Sequence, residues 1–157
     1  MLEMLSDQRV HYTRQTRPVV VPPPISTVLL DESGDVADQR ILVLGSNDIA
    51  ETMCALVHTE CRHAETCIPG CHTAAGAVDL VLVPHLTRDN VDGIISQAAH
   101  SLCRHGRIVI GLTSQGRQLV ALGTLMLIGA GFDMPVLHEG DGRRTLSARR
   151  GRHPGRA

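Results

Sequence analysis

The sequence predicts a three-layer α/β sandwich whose sheet is mostly parallel and covered by helices on both faces. Three continuous apolar runs of strand length carry this prediction: ILVLG at 41–45, VDLVLVPHL at 78–86 and RIVIGL at 107–112. Such runs are typical of strands that are buried on both faces. Segments with helical spacing of apolar residues separate them, and this alternation favours parallel pairing.

Residues 1–38 are predicted to form an arm ahead of an α/β domain that spans 39–150. The beginning of the arm is polar and contains several arginines, and PVVVPPPIS at 18–26 predicts a stiff extended segment. The sequence TVLLDESGDVADQR that follows is compatible with a short helix.

After the first strand, SNDIAETMCALVHTE predicts a helix whose N-cap is Ser46 or Asn47. Asp48 and Glu51 are then expected in the first turn, where carboxylates interact favourably with the helix dipole. A short second strand is predicted in HAETCI, bounded by the proline and glycine that follow it.

The second half of the chain predicts two more helices and a closing hairpin. TRDNVDGIISQAAHSLCRHG has helical spacing from Ile94 to Leu102 and is predicted to end at Gly106. QGRQLVALGTLMLIGAG predicts the other helix. FDMPVLHE and RRTLSARR predict an antiparallel strand pair around the turn at Asp141 and Gly142.

The composition excludes several classes of function. The chain has 157 residues and a net charge of −1, which suits one ordinary globular domain. All 15 basic residues are arginine, so Schiff-base chemistry and a P-loop lysine are excluded. The aromatic residues are Tyr12 and Phe132, too few for a base-stacking platform or an aromatic cage. Nucleic acid is therefore not an expected partner.

The sequence also predicts a compartment. The first 15 residues lack the apolar core of a secretory signal, and the longest apolar run, at 119–132, is too short to span a bilayer. We therefore expect a cytoplasmic protein without membrane association. In that compartment reduced thiols are expected for the five cysteines, Cys54, Cys61, Cys67, Cys71 and Cys103.

Four segments between residues 39 and 150 form a series: QRILVLG, VDLVLVPHL, AAHSLCRHGRIVIGL, and GAGFDMPVL with RRTLSARR. In this order they resemble the first strand and glycine turn, the fourth strand, the helix with the fifth strand, and the terminal hairpin of class I, Rossmann-like, S-adenosylmethionine-dependent methyltransferases. The resemblance implies a Rossmann-like sheet with an antiparallel C-terminal hairpin, S-adenosylmethionine as cofactor and methyl transfer as activity.

The chain departs from this family where the cofactor would bind. The resemblance implies an acid at position 43, where the chain has Val43, and glycines at the positions of Asn47 and Ile49. Of the three glycines of the turn, Gly45 alone is present. CIPGCH lacks the acid that binds the ribose hydroxyls at the end of the second strand. The stretch after it is too short for the next helix and strand, so one strand–helix unit is predicted to be missing.

The resemblance also implies a set of site residues. Backbone N–H groups of Gly45, Ser46 and Asn47 would face the carboxylate of the cofactor beneath a helix N-terminus. Pro84, His85 and Leu86, at the carboxyl end of the fourth strand, would line the cleft where substrate meets the methyl group. His85 is the candidate general base for an oxygen or nitrogen nucleophile. Its alternative role is that of a strand-end histidine with one backbone hydrogen bond.

Cysteine and histidine are concentrated between residues 54 and 72. A tetrahedral zinc site could use His58, Cys61, Cys67 and Cys71, because thiolates and imidazole suit zinc. The spacings match no standard zinc finger, and free cysteines could equally pack a helix onto the sheet.

Three functions therefore stay open. The first is a small S-adenosylmethionine-dependent methyltransferase. The second is a catalytically inactive pseudoenzyme that forms a homodimer or binds a protein partner through the proline-rich arm or the exposed edge left by the missing strand. The third is a Cys/His metal-binding or thiol module. The arginine-rich C-terminus is predicted to be a flexible basic tail over 151–157, with binding of an anionic partner as its alternative.

Overall fold

A computed structural model describes residues 23–45, 47–68, 72–112, 116–140 and 142–151. Over these ranges helices and strands alternate until the terminal hairpin, except that the third strand follows the second without a helix between them. The elements, in chain order, are α1 (Ile25–Ser33), β1 (Arg40–Leu44), α2 (Ile49–Val57), β2 (His63–Cys67), β3 (Val78–Leu86), α3 (Val91–Ser101), β4 (Leu102–Leu112), α4 (Gly116–Gly129), β5 (Val136–Gly140) and β6 (Arg143–Arg149).

The strands form one sheet in the order β2-β1-β3-β4-β6-β5. The pairs β1–β2, β1–β3 and β3–β4 are parallel, whereas β6 runs antiparallel to β4 and β5. The predicted α/β fold with an antiparallel C-terminal hairpin is therefore confirmed. Residues 72–77 contain no helix or strand. The described chain thus enters β3 without the strand–helix unit that the sequence predicts to be missing.

The sheet separates two clusters of buried side chains. On one face, Leu29 of α1 and Leu56 of α2 are at most 1% exposed and pack on the sheet. On the other face, Ile94 of α3 and Leu127 of α4 are fully buried. Side chains of β1, β3 and β4 alternate between the two clusters, because successive residues of a strand point to opposite faces. Burial on both faces explains the continuous apolar runs.

Part of the predicted arm packs against the sheet. Helix α1 buries Ile25 and Leu29 in the core. Two polar contacts hold it: Ser26 Oγ donates to Glu51 Oε1 at 3.1 Å, and Arg143 Nε donates to the carbonyl of Pro23 at 2.9 Å. Residues from Pro23 onward are thus in contact with the folded domain. The proline segment before them lies outside the described residues.

The start of α2 differs from the prediction. Its N-cap is Asp48, which adopts the left-handed conformation with φ of 57° and makes no side-chain capping hydrogen bond. Asn47 is therefore not the N-cap, Ser46 lies outside the described residues, and Asp48 precedes the first turn instead of lying in it. Glu51 does lie in that turn. The carboxylate of Asp48 is directed elsewhere, as described below.

The end of α3 also differs, because the helix stops at Ser101 and not at Gly106. Leu102 leaves the helix since it pairs with Val78 as the first residue of β4. The register between β3 and β4 then shifts before Arg107, so residues 103–106 form an irregular part of the strand. Among the described helices, none is long and apolar enough to cross a membrane.

Candidate functional site

The order in which the chain adds strands to the sheet reverses between β1 and β3. From β1 the chain moves to β2 on one side, and it later returns to β3 on the other side of β1. In open α/β sheets, ligands bind in the crevice at such a switch point, beyond the carboxyl ends of the strands. The residues that follow Leu44 and end β3 at Leu86 therefore define the candidate site.

The turn after β1 leaves open space at Gly45. Gly45 has φ of 137°, a conformation that favours glycine, and a Cβ placed there would meet nothing within 4 Å. Its N–H donates to the carbonyl of Cys67 at 3.3 Å, which ties the turn to the end of β2. Gly45 is buried, but the space beside its Cα is not filled by other groups of the described chain. Ser46 lies outside the described residues, and Asn47 is exposed.

A carboxylate from this turn meets the imidazole at the end of β3. Asp48 Oδ2 lies 2.5 Å from His85 Nε2, and the two side chains are 39% and 24% exposed. The left-handed backbone of Asp48 directs its side chain away from the helix and across the switch point. The side chain of His85 therefore pairs with a carboxylate, and among the described residues it has no backbone partner of the kind that its alternative role expects.

The pairing determines which ring nitrogen of His85 can accept a proton. Ionised Asp48 only accepts hydrogen bonds, so it stabilises the tautomer with a proton on Nε2. Nδ1 is then the acceptor, and it can take a proton from an oxygen or nitrogen acid within hydrogen-bond reach.

The loop after β3 holds His85 in place. The N–H of Thr87 donates to Asn90 Oδ1 at 2.7 Å, and Asn90 Nδ2 donates to the carbonyl of His85 at 3.3 Å. The N–H of Asn90 in turn donates to Thr87 Oγ1 at 3.3 Å. These three bonds fix the backbone that carries His85. The sequence does not predict this role of Asn90.

Pro84, predicted to line the cleft, is buried. Its carbonyl lies against Gly111 of β4, where an added Cβ would come within 2.4 Å of the carbonyl oxygen and 2.8 Å of Ile25. Pro84 and Gly111 thus form a close-packed layer that supports the end of β3.

Two further positions depart from the pattern that the resemblance implies. Val43, where the family has an acid, is fully buried in the cluster under α1 and α2. Cys67 ends β2 where the family has its ribose-binding acid, and it is 4% exposed. Gln97 Nε2 lies 3.0 Å from Cys67 Sγ. Within the described residues, the ends of β1 and β2 therefore carry no carboxylate at these two positions.

The predicted zinc ligands do not assemble in the described part of the chain. Helix α2 ends at Val57, so His58 is its exposed C-cap and Cys61 lies beyond the helix. Cys67 is disulfide-bonded, which corrects the expectation of five reduced thiols, and Cys71 lies outside the described residues. Among the residues described, no group of three or more His, Cys, Asp and Glu side chains could hold a metal ion.

The sequence matches no protein-family model and no curated protein. The fold, in contrast, resembles solved structures. The chain is 13% identical to the 1,6-didemethyltoxoflavin-N1-methyltransferase of Burkholderia thailandensis, solved with bound 1,6-didemethyltoxoflavin and S-adenosylhomocysteine, with a TM-score of 0.61 over 95% of this chain and 86% of that one.

Two other structures give similar values. An S-adenosylmethionine-dependent O-methyltransferase from Thermotoga maritima has 11% identity and a TM-score of 0.62, over 92% of this chain and 71% of that one. A methyltransferase from Pyrococcus furiosus has 12% identity and a TM-score of 0.60, over 82% and 83% of the two chains. The protein therefore has the Rossmann-like fold of the class I S-adenosylmethionine-dependent methyltransferases.

Proposed function

We propose that the protein binds S-adenosylmethionine at the carboxyl ends of β1 and β3 and transfers its methyl group to an oxygen or nitrogen nucleophile. The observation that carries this proposal is the pairing of His85 with Asp48 at the switch point of the sheet. The cofactor is suggested by the fold, since the structurally similar Burkholderia methyltransferase was solved with S-adenosylhomocysteine.

The residues at the carboxyl ends of β1 and β3 fit the methionine end of the cofactor. The open backbone at Gly45 gives a ligand access to the turn. The N–H groups of the first turn of α2 would face its carboxylate, because a helix N-terminus favours anions. Asp48 uses Oδ2 for His85, so its other oxygen is available to the ammonium group. Asp48 would thus supply the carboxylate that is missing at Val43.

The nucleoside end of the cofactor is less well served. Cys67 replaces the acid that would bind the ribose hydroxyls. Each charge-assisted hydrogen bond that is lost costs on the order of 1.5 to 3 kcal/mol. We therefore expect affinity for S-adenosylmethionine to be at least about tenfold weaker than in a relative that has the acid.

The mechanism assigns a role to each side chain of the pair. Bound S-adenosylmethionine supplies an electrophilic methyl group. His85 Nδ1 accepts the proton of the nucleophile, and this raises the electron density on the attacking atom. Asp48 orients the imidazole through Nε2 and stabilises the imidazolium that forms. Asn90 keeps the backbone of His85 in the matching position.

A second candidate function is favoured by a different observation. The β5 edge and the adjoining turn expose large apolar side chains: Met134 is 73%, Val136 51% and Leu137 40% exposed. An unpaired edge strand with apolar side chains is a potential interaction surface. On this second proposal the chain is an inactive homologue that forms a homodimer, or binds another protein, through the β5 edge.

Calorimetric titration of the full chain with S-adenosylmethionine and S-adenosylhomocysteine separates the two proposals. The enzyme proposal expects saturable heat and a raised melting temperature at about 1 mM ligand. Asp48→Asn should weaken binding, whereas His85→Gln should retain most of it. If neither ligand gives heat or a thermal shift, methyl transfer is excluded. A dimeric mass that Leu137→Ser converts to monomer would then support the second candidate.

A further inference from the structure

A concavity lies at the amino ends of the parallel strands, which we call the amino edge of the sheet, opposite the candidate methyl-transfer site. It has a volume of about 390 Å³, within the usual size range of small-molecule pockets. The end of α1, the segment before β1, the beginnings of β3 and β4, and the end of β6 contribute to it. Its charged and thiol-bearing lining includes Asp79, Cys103, Arg104, His105, Arg107 and Arg149. We call it the amino-edge cavity.

The carboxylates of the cavity already have partners. Asp79 accepts hydrogen bonds from the backbone N–H of Arg40 at 2.8 Å, from its Nε at 3.1 Å and from its Nη2 at 3.0 Å. These contacts hold the pKa of Asp79 at about 2. Asp35 accepts the N–H of Ala37 at 2.9 Å, within its own turn. Neither acid forms an ion pair with the other arginines of the cavity, Arg104, Arg107 and Arg149.

Those arginines carry an excess of positive charge. Arg107 of β4 and Arg149 of β6 are directly opposite each other in the antiparallel pair, an arrangement that is unfavourable for like charges. Burial lowers the pKa of Arg107 and the charge of Arg149 lowers it further, whereas the charge of Glu32 acts in the opposite direction. In the described part of the chain, arginine forms ion pairs within 4.0 Å only between Arg40 and Asp79 and between Arg144 and Glu139.

The same arginines are held in position while most of their donors stay available. Arg107 donates to the carbonyl of Ser33 at the end of α1, and Arg149 donates to the carbonyl of His105 at 3.3 Å. A guanidinium has five N–H donors, so each of these contacts uses a small part of its capacity. His105, between them, has the left-handed φ of 68°, which is uncommon for a residue other than glycine.

We propose that the amino-edge cavity binds a small phosphate-bearing anion through Arg104, Arg107 and Arg149. A dianionic phosphoryl group would compensate the two guanidinium groups that face each other, and planar guanidinium groups match its oxygens in bidentate geometry. The group could arrive as inorganic phosphate or as a phosphate monoester. The cavity lies at the opposite end of the strands from His85, so this proposal is independent of methyl transfer.

The test is an NMR titration of the ¹⁵N-labelled full chain at constant ionic strength, with inorganic phosphate, glycerol 3-phosphate and citrate added separately. We expect saturable shifts of the Nε–H signals of Arg107 and Arg149 and of the amides of 103–106 with both phosphates, and tighter binding by one of them identifies the source. Citrate, an anion without phosphorus, should bind at least about tenfold more weakly.

Two variants locate the site. Arg149→Gln removes an exposed guanidinium and should weaken phosphate binding about tenfold, as expected for one charge-assisted hydrogen bond. Arg62→Gln removes an exposed arginine that does not line the cavity and should leave binding unchanged. Unchanged thermal melting verifies that both variants fold. The proposal is overturned if phosphate gives no saturable shifts, if Arg149→Gln does not weaken them, or if citrate binds as tightly.

Discussion

The carboxyl and amino ends of the parallel strands, which we call the carboxyl and amino edges of the sheet, carry polar clusters of opposite character. At the carboxyl edge, the imidazole of His85 and the carboxylate of Asp48 lie beside the open turn at Gly45. At the amino edge, Arg40 neutralises Asp79, and three further arginines outnumber the remaining acid of the cavity, Asp35. An imidazole exchanges protons near neutral pH, whereas guanidinium stays charged. The proposed proton transfer and the proposed anion binding thus lie at opposite edges.

The largest expected effect separates the two edges by activity. His85→Gln should lower the rate of methyl transfer by about 10² to 10⁴, because amide nitrogen and oxygen cannot replace a general base. Asp48→Asn should lower the rate less, because the imidazole remains. Both are measured by release of S-adenosylhomocysteine from saturating S-adenosylmethionine. The matched control at the amino edge, Arg149→Gln, should retain the full rate.

Equal rates for His85→Gln and the unchanged protein would mean that the carboxyl edge holds no general base at His85. The contrast between the edges would then be one of charge alone.

A change behind the carboxyl edge should have the next largest effect, on stability. In Gly111→Ala the new methyl group would lie 2.4 Å from the carbonyl oxygen of Pro84 and 2.8 Å from Ile25. Since backbone cannot yield easily, we expect a loss of about 3 kcal/mol in the free energy of unfolding. Urea denaturation measures this loss.

Gly123→Ala in α4 is the matched control. Its Cβ would meet Leu146 at 3.4 Å and Leu86 at 3.5 Å, ordinary contact distances, and alanine is the better helix former. This variant should be as stable as the unchanged protein or more stable by up to about 1 kcal/mol. A Gly111→Ala protein of undiminished stability would show that the end of β3 is not rigidly supported.

The strands were predictable from sequence because the two faces of the sheet are covered. Burial on both faces leaves a continuous apolar run, as in 41–44 and 80–83, and such a run has few alternative explanations. The end of α3 was not predictable in the same way. Leu102 continues the helical spacing of α3, but its pairing with Val78, a contact distant in sequence, draws it into β4. Tertiary pairing here overrides local pattern.

The same distinction applies to the polar residues. Gly45 and His85 could be located because they lie at the ends of strands that the apolar runs reveal. Asp48 was assigned to the first helical turn, since nothing local predicts its left-handed backbone. The amino-edge cavity has no sequence signature. Its main ion pair joins residues 39 positions apart, and Arg107 meets Arg149 only through the pairing of β4 with β6.

The ion pair of the amino edge should have a smaller, pH-dependent effect on stability. Hydrogen bonds from Arg40 lower the pKa of Asp79 from 3.8 to about 2. A carboxyl whose pKa is lowered by folding stabilises the fold above its unfolded pKa, and this contribution is lost as the pH falls through its folded pKa. Asp79→Asn should therefore lower the free energy of unfolding by about 1 kcal/mol at neutral pH, after allowance for solvent screening.

Urea denaturation at a series of pH values provides the measurement. The stability difference between Asp79→Asn and the unchanged protein should shrink as the pH falls from about 4 to about 2. Asp89→Asn, at an exposed turn position, is the control and should have little effect at neutral pH. A difference that stays constant down to the lowest pH would mean that the pKa of Asp79 is not lowered by its partner.

The smallest expected effect is on the reactivity of Cys103, which shares Asp79 with Arg40. Burial raises the pKa of the Cys103 thiol, and its hydrogen bond to Asp79 Oδ1 at 3.4 Å raises it further. The thiolate is the nucleophile, so alkylation of Cys103 by iodoacetamide at mildly alkaline pH should be slower than that of exposed Cys54. Asp79→Asn removes the carboxylate that disfavours the thiolate and should accelerate alkylation of Cys103 by less than about tenfold.

Cys54, followed by mass spectrometry in the same sample, should react at an unchanged rate. Equal acceleration of both cysteines would indicate general loosening of the fold, whereas a selective change at Cys103 would show that the charge of Asp79 acts locally at the amino edge.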